Sequence, residues 1–364
     1  MDQTESTSIG EVVICACRSK EYTARDVIDA ALFRGELDSI WKEFLIDLKV
    51  EERADELELE IDHDAVDAAA ELFRYHHDLI TAEETEQWLE ARSLTLENFT
   101  DYFIRHSWGA VVHETLKPEN VDLVRASADL RELFTAELIF SDKLDRLGQS
   151  LMWRLAALGA TGENNLDREK INREKKAFFD RLEIKEPELH EWLGHFGRDQ
   201  GWLDHMLALE AAYGNLCDKT LTVEARQRQL TTLRMPLTQF EVEVVELESS
   251  EAAKEALLCI RQDEMSMEQV AAEARYPFRR ISLHYEAVPE ELKQKFWSAA
   301  PGDVLDPVGR GEGFELYRIT RKVEPKLTDP NVQQRVDRDL LERHFAILAS
   351  EHIEPRLNPV IRNK

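Results

Sequence analysis

The sequence predicts an α+β protein, with a mostly α-helical region in the first two thirds of the chain and a small β-α-α-β-α-β domain after it. Three observations lead to this fold class. Apolar residues recur at helical spacing from about residue 24 to residue 235. Apolar and acidic residues then alternate over 240–247, as in a strand. A charged segment over 329–348 returns to helical spacing, which predicts a C-terminal helix.

Composition and charge narrow the kinds of partner. The chain has 364 residues, enough for two or three domains, and a net charge of −27. Such a charge repels phosphate groups and anionic lipid headgroups, so we expect neither nucleic-acid binding nor membrane insertion. The sequence also lacks a run of about 18 apolar residues that would span a bilayer. An acidic surface instead suits a polypeptide partner with basic or neutral stretches.

The first seven residues, MDQTEST, are polar and acidic. A secretory signal peptide would begin with a basic segment and continue with an apolar one. We therefore expect a cytoplasmic protein, in which the cysteines stay reduced. Cys15 and Cys17 stand two positions apart in an extended segment, so we expect both on one buried face and not at a metal site.

Local start signals divide the helical region. Thr23 or Asp26 can cap the first helix, and Thr81 with Glu84 forms a capping box. Residues 9–17 precede these helices and are typical of a short extended segment. Further helices are predicted over 37–59, 66–79, 82–91 and 95–111.

Two parts of the helical region resemble each other. Trp88-Leu89 and Trp192-Leu193 stand at matching places, and other apolar residues match at the same offset of about 101–104 positions. We interpret 20–120 and 125–235 as two copies of one helical unit, joined near residues 117–120. The alternative is that any two amphipathic helical stretches can be aligned in this way.

The last third mixes strands and helices. Ser249 or Ser250 caps one helix, and Ser266 with Gln269 opens the next. Strands are predicted over 240–247, 281–285 and 314–320, and helices over 251–261, 267–274 and 289–299. The predicted domains are a helical unit at 1–122, a second helical unit at 123–235 and a mixed domain at 236–326. A C-terminal helix and tail at 327–364 are expected to pack on the helical region, with a loose segment after Pro355.

Several segments of this sequence together resemble a known family. Residues 296–308 and 313–319 are similar to a helix, a Gly-Asp turn, a Pro-Val pair and a final Gly-aromatic strand of parvulin-type (PpiC) peptidyl-prolyl isomerases. Residues 265–271 look like a helix of the same family. The segment 78–99 is similar to the helical N-terminal region of SurA-like chaperones. The resemblance implies two SurA-like helical units followed by a parvulin-like domain.

The resemblance also implies an apolar pocket that holds a proline ring while polar side chains orient the amide. Parvulins place histidines in their first and last strands, whereas this sequence has Glu241, Glu243 and Glu315 there. We expect these acidic residues to leave unpaired charge near the pocket and to weaken catalysis. Alternatively, each pocket residue belongs to the core and the strand histidine is incidental. The candidate pocket residues are Met267, Val270, Leu283, His284, Phe296, Phe314 and Glu315.

No spacing in the sequence predicts a metal site or a cofactor. His190 and His195 are five positions apart, whereas two ligands on one helix face stand at i and i+4. His76 and His77 are adjacent, so their side chains diverge. We therefore expect no metal and no cofactor.

We interpret the chain as a peptide-binding chaperone, or a peptide maturation or export factor, with weak or lost isomerase activity. Its expected partner is an unfolded or precursor polypeptide that contains proline in some cases. One alternative is an active parvulin-type isomerase. A second is a structural adaptor whose pocket is filled by its own side chains. The sequence does not predict an oligomeric state.

Overall fold

The computed structural model describes residues 8–109, 111–112, 116–118 and 121–357. Residues 1–7, on which the expected location depends, and residues 119–120 of the predicted joint lie outside these ranges. The chain forms two compact units. The first unit contains residues 1–218 together with 344–364, and the second contains residues 219–343.

Helices dominate the first unit, as the sequence predicts. Two short strands precede the helices, and a third strand, β7 Ile353–Pro355, follows the second unit in the chain. The strands at the start are β1 Val13–Cys17 and β2 Lys20–Thr23, and the helices are α1 Ala24–Phe33, α2 Asp38–Glu56, α3 His63–His76, α4 Ala82–Glu90, α5 Leu96–Trp108, α6 Ala128–Phe140, α7 Lys143–Thr161, α8 Arg168–Leu182, α9 Leu189–Phe196 and α10 Gln200–Thr220.

The predicted helix starts are confirmed at several caps. Thr81 and Glu84 form a capping box at α4, in which each side chain bonds the backbone N–H of the other residue. At α1 the cap is Thr23, and Asp26 completes the box. These caps satisfy backbone donors that have no partner within the helix.

Aromatic side chains from both predicted helical copies share one core. Trp41 of α2 lies edge-on to Phe134 of α6, with ring centroids 4.9 Å apart. Phe33 of α1 stacks on Phe178 of α8 at 5.0 Å. Helices α1–α10 therefore lie in one compact unit, and the division of this region into two helical units stays a prediction. A duplication within this unit stays a prediction.

A three-stranded antiparallel sheet, in the order β2-β1-β7, joins distant parts of the chain. Its third strand, β7, spans Ile353–Pro355 and pairs with β1 so that Cys15 faces Pro355. The backbone N–H of Arg356 also donates to the carbonyl oxygen of Ile14, at 3.0 Å. The sequence predicted a loose tail after Pro355, and this prediction is wrong for Arg356 and Leu357 because the carbonyl oxygen of Ile14 in β1 accepts from their backbone N–H groups.

The second unit has the predicted mixed composition, and its β-α-α-β-α-β order is confirmed with one additional short strand. The α+β fold class is confirmed with it. Its elements are α11 Val223–Leu233, β3 Gln239–Leu247, α12 Ser250–Gln262, α13 Met267–Ala274, β4 Phe278–His284, α14 Glu290–Ser298, β5 Val308–Arg310 and β6 Gly313–Val323, and helix α15, Pro330–His352, begins in this unit.

The four strands of the second unit form an antiparallel sheet in the order β4-β3-β6-β5. The central strand β3 was predicted to be buried on one face only. Both of its faces are covered: Val242 and Val244 pack on one side with α14, and Val245 and Leu247 pack on the other with α12 and α13. The prediction of a half-buried strand is wrong because helices lie on both sides of the sheet.

Among the helices in the described ranges, none has the length and apolar composition that crossing a bilayer requires.

Candidate functional site

The seven candidate pocket residues lie on both faces of the four-stranded sheet. Leu283 and Phe296 belong to the α14 face, and Glu315 points to the same side. Met267, Val270 and Phe314 belong to the α12 and α13 face, and Met267 is completely buried there. A single cavity therefore does not bring the seven together, and their role in binding stays a prediction.

His284 lies at the end of β4, where it pairs with Gln239 across the strands. Its Nδ1 is 3.2 Å from the carbonyl oxygen of Leu237, and the residue is exposed. This contact orients the ring toward the backbone of its own unit. The sequence did not predict this contact between His284 and the carbonyl oxygen of Leu237.

The apolar interior of the α14 face is filled by side chains of the protein. Phe296 is 1% exposed, and its ring lies 5.5 Å from Phe240 and 5.6 Å from Tyr317, in edge-on arrangements. Leu292 and Ile319 complete this cluster. A proline ring could enter only if these aromatic side chains moved, because packed interiors have few voids larger than a water molecule.

Glu315 lies beside this cluster and has several partners. It is 5% exposed, and the hydroxyl of Tyr317 donates a short hydrogen bond to it. Arg279 Nη2 lies 2.7 Å from one carboxylate oxygen, and Arg310 Nη1 lies 3.5 Å from the other. The expectation of an unpaired charge is wrong here, because two guanidinium groups face the carboxylate. Burial and the nearby carboxylate raise the pKa of Tyr317 to about 12, so its hydroxyl keeps the proton that it donates.

The second acidic position is paired in the same manner. Glu243 is 6% exposed on the α12 and α13 face, and Arg280 Nε lies 3.2 Å from its carboxylate. Arg318 forms a short ion pair with the same group from the opposite strand. The register explains both contacts, since Glu243 stands directly between Arg280 of β4 and Arg318 of β6. These arginines were missed in the sequence because their role depends on strand pairing.

A charged cleft of about 800 Å³ opens next to Glu315. Acidic and basic side chains alternate around it, and Tyr276 and Phe314 are its aromatic residues. Such a cleft can hold polar or charged groups, but its charged walls suit a bare proline ring poorly. The charged lining residues are Glu246, Glu248, Arg275, Arg279, Arg310 and Glu315.

A second candidate surface lies in the first unit, on helix α3. One side of α3 is in the core, where Phe73 packs edge-on against Trp88 and Phe99 at 5.4 Å and 5.6 Å. Another side is apolar and open, with Leu72 71% exposed and Tyr75 60% exposed. We call this side the α3 apolar face; it consists of Ala65, Ala68, Ala69, Leu72 and Tyr75, together with Ile80 just after the helix.

Helical spacing places these residues together. Positions 65, 68, 72 and 75 are separated by three or four residues, so their side chains lie along one stripe of the helix. Ile80 follows just after the helix and is 64% exposed. Asp64, Asp67 and Glu71 form an exposed acidic stripe beside it. The sequence predicted a helix here. It did not predict that the helix has more apolar residues than its buried side holds, so that several of them are exposed.

The solved structures that resemble this chain include two groups of proteins. PrsA peptidyl-prolyl isomerase from Bacillus anthracis has 12% identity and a TM-score of 0.26, and the match covers 56% of this chain and 93% of that one. PrsA from Bacillus cereus has 14% identity and a TM-score of 0.31, over 58% and 85% of the two chains. A SurA-like chaperone from Campylobacter jejuni has 9% identity and a TM-score of 0.20, over 62% and 88%.

The structural neighbours therefore come from the PrsA peptidyl-prolyl isomerases and the SurA-like chaperones, as the resemblance in the sequence predicted. No protein-family model matches the sequence, and no curated protein matches it.

Proposed function

We propose that this chain is a polypeptide-binding chaperone whose parvulin-like domain has weak or no isomerase activity. The α3 apolar face carries this proposal. Leu72 and Tyr75 lie on one stripe of α3, Ile80 follows the helix, and each of the three is at least 60% exposed. Apolar patches of this kind typically mark binding surfaces, since covering them with a partner removes apolar area from water.

The acidic stripe beside the apolar face indicates which polypeptides bind. Asp64, Asp67 and Glu71 would lie close to the flanks of a bound segment. Basic residues next to apolar ones in that segment would therefore be favoured, and acidic segments would be repelled. The proposed client is an unfolded or precursor polypeptide with mixed apolar and basic character. A proline in the client is not required by this surface.

The parvulin-like domain supports the second half of the proposal. Catalysis of prolyl isomerisation requires binding of a twisted amide in preference to the planar one. Phe240 and Phe296 occupy the apolar interior of the α14 face, and Glu315 is held by arginines beside it. This arrangement leaves neither an open proline pocket nor an imidazole pair among the described residues of that face.

The test is to measure binding of a fluorescent peptide that alternates leucine with lysine, by anisotropy, with the full chain. The double variant Leu72→Glu/Tyr75→Glu should weaken binding at least tenfold, because it places two charges on the apolar stripe. Aggregation of a chemically unfolded protein should then be suppressed by the original chain and not by this variant. Both positions are exposed, so the free energy of unfolding should change by no more than about 0.5 kcal/mol.

The matched control is Leu258→Glu, at a position on α12 that is 52% exposed and outside the α3 apolar face. It should leave peptide binding unchanged. Equal weakening by the control and by the double variant would contradict the assignment of this surface. Absence of peptide binding by the original chain would contradict the chaperone proposal itself.

The filled interior of the α14 face favours one further candidate, a structural adaptor whose pocket is closed by its own side chains. An adaptor of this type would bind one folded partner and would ignore unfolded polypeptide. Competition by several unrelated unfolded proteins for the same peptide site would therefore support the chaperone. A protease-coupled proline-peptide assay distinguishes both from an active isomerase, since we expect no turnover above the uncatalysed rate.

A further inference from the structure

Three side chains with metal-binding chemistry meet between three helices of the first unit. They are Asp47 of α2, His106 of α5 and Glu137 of α6, and one ligand atom from each lies within 4.8 Å of the other two. His106 Nε2 is 2.9 Å from Glu137 Oε1. We propose that these residues bind a divalent transition-metal cation such as Zn²⁺, at a site independent of the proposed chaperone surface.

The charges around this cluster favour a cation. Arg105 lies 3.2 Å from Glu51 Oε2 and 3.2 Å from Glu137 Oε2, so one guanidinium serves two carboxylates. Asp47 adds a third negative charge. Lys143 lies 3.2 Å from Glu43, so the positive charge of Lys143 is offset by the carboxylate of Glu43. A divalent cation would balance the negative charge of Asp47, Glu51 and Glu137 that Arg105 leaves uncompensated.

Burial strengthens the same effect. The side chain of Glu137 is 4% exposed, as is that of Arg105. A metal ion would remove the cost of holding the Asp47 and Glu137 carboxylates close together, since it attracts both.

The donor set fits the chemistry of zinc. Imidazole nitrogen and carboxylate oxygen bind Zn²⁺ at about 2.0–2.2 Å, which places neighbouring ligand atoms about 3.4 Å apart. His106 Nε2 and Glu137 Oε1, now 2.9 Å apart, would therefore need to separate slightly, while Asp47 would need to approach by up to about 1.4 Å. Rotation of the partly exposed Asp47 and His106 side chains allows both movements. Glu137 would bind through Oε1, because Arg105 holds Oε2. The side chain of His106 is 36% exposed, which leaves room for a water molecule as the fourth ligand.

The competing interpretation is an ion-pair network in which Arg105 and His106 simply neutralise Glu137. The two interpretations predict different results when Zn²⁺ is added: a metal site binds it, and an ion-pair network does not. The full chain is first freed of metal by chelation, and ZnCl₂ is then titrated into it calorimetrically at pH 7.5. CoCl₂ is titrated in parallel, because bound Co²⁺ gives visible absorption bands that report its ligand geometry.

We expect one equivalent of Zn²⁺ to bind, and both His106→Ala and Asp47→Asn to weaken binding at least tenfold. Binding should also weaken from pH 7.5 to pH 5.5, since a proton competes for the imidazole nitrogen. The control His195→Ala removes an exposed histidine on α9 and should leave the affinity unchanged.

Two results would overturn the proposal. One is the absence of saturable binding, and the other is equal affinity in the original chain and in both cluster variants, which would mean adventitious binding at other histidines. Asp47→Asn preserves the size and shape of a half-buried side chain, so the test remains valid if His106→Ala disturbs folding. Circular dichroism of each variant before titration checks that the helices are retained.

Discussion

At the scale of single residues, Glu315 decides how the parvulin-like site should be understood. The resemblance in the sequence implies a histidine at this position in parvulins, whereas here Glu315 contacts Arg279, Arg310 and Tyr317. The side chain of Glu315 is buried, while those of Arg279 and Arg310 are 50% and 59% exposed. The acid is therefore held by basic and hydroxyl partners from the same sheet.

Replacing Glu315 with alanine should destabilise the protein by about 1–3 kcal/mol, because it leaves the buried Tyr317 hydroxyl without its acceptor. Urea unfolding followed by circular dichroism measures this free energy of unfolding. Glu248→Ala is the matched control, since Glu248 lines the same cleft but is exposed. The control should cost no more than about 0.5 kcal/mol. Similar losses in the two variants would show that Glu315 has no special structural role.

The candidate site could be predicted only in part, for a reason visible at two neighbouring residues. Phe314 and Glu315 are adjacent in β6, so their side chains point to opposite faces of the sheet. Strand alternation alone indicates that the two side chains do not share the apolar interior of one face, although both border the charged cleft. The arginine partners of Glu315 and Glu243 could not be predicted from the sequence, because these pairs depend on the register of β4 and β6 against β3.

At the scale of elements, the helices were easier to predict than the short strands. Caps such as Thr81 with Glu84 and Ser266 with Gln269 are local, so the signal and its effect lie within four residues. Strands β2 and β7 have four and three residues, and β7 pairs with β1 from the far end of the chain. A segment of three or four residues is too short to show a strand periodicity in its sequence. Whether it forms a strand therefore depends on the strand with which it pairs.

Strand β2 and helix α10 are linked by a hydrogen bond between Tyr22 Oη and His205 Nε2, at 3.1 Å. Burial lowers the pKa of His205 below its ordinary value of 6.5, and the positive charge of Lys20 lowers it further. The folded state therefore resists a proton that the unfolded state accepts. The stability that neutral His205 contributes is present above about pH 6.5 and is lost as the pH falls through the lowered value.

The variant His205→Gln should show a shallower loss of stability between pH 7.5 and pH 5.5 than the original chain, because glutamine keeps a hydrogen-bonding group and does not titrate. Urea unfolding at pH 7.5, 6.5 and 5.5 gives the comparison. His195→Gln serves as the control, since this histidine is exposed. Parallel pH dependence in the original chain and in His205→Gln would refute the assignment.

At the scale of the whole molecule, the first unit is built from two separated parts of the chain. Residues 1–218 and 344–364 belong to it, and β7 completes its sheet beside β1. Ile353 is 7% exposed at this junction. The stability of the first unit should therefore depend on residues that follow the entire second unit.

Ile353→Ala should lower the free energy of unfolding by about 2–5 kcal/mol, the usual cost of truncating a buried isoleucine. Urea unfolding monitored by circular dichroism measures the loss. Ile347→Ala is the control, because Ile347 is 59% exposed and should contribute far less. An Ile353→Ala variant as stable as the control would mean that β7 is dispensable for the first unit.

The divided first unit also has a consequence for synthesis on the ribosome. Residues 219–343 form a continuous unit that can fold as soon as it emerges, whereas the edge of β1 must wait for β7. Residues 18–352 separate the two strands, so at about 5–20 residues per second their translation takes about 17–67 s. During that interval the nascent protein exposes an unpaired strand edge, and for those seconds a chain that we propose to be a chaperone would itself be vulnerable to aggregation.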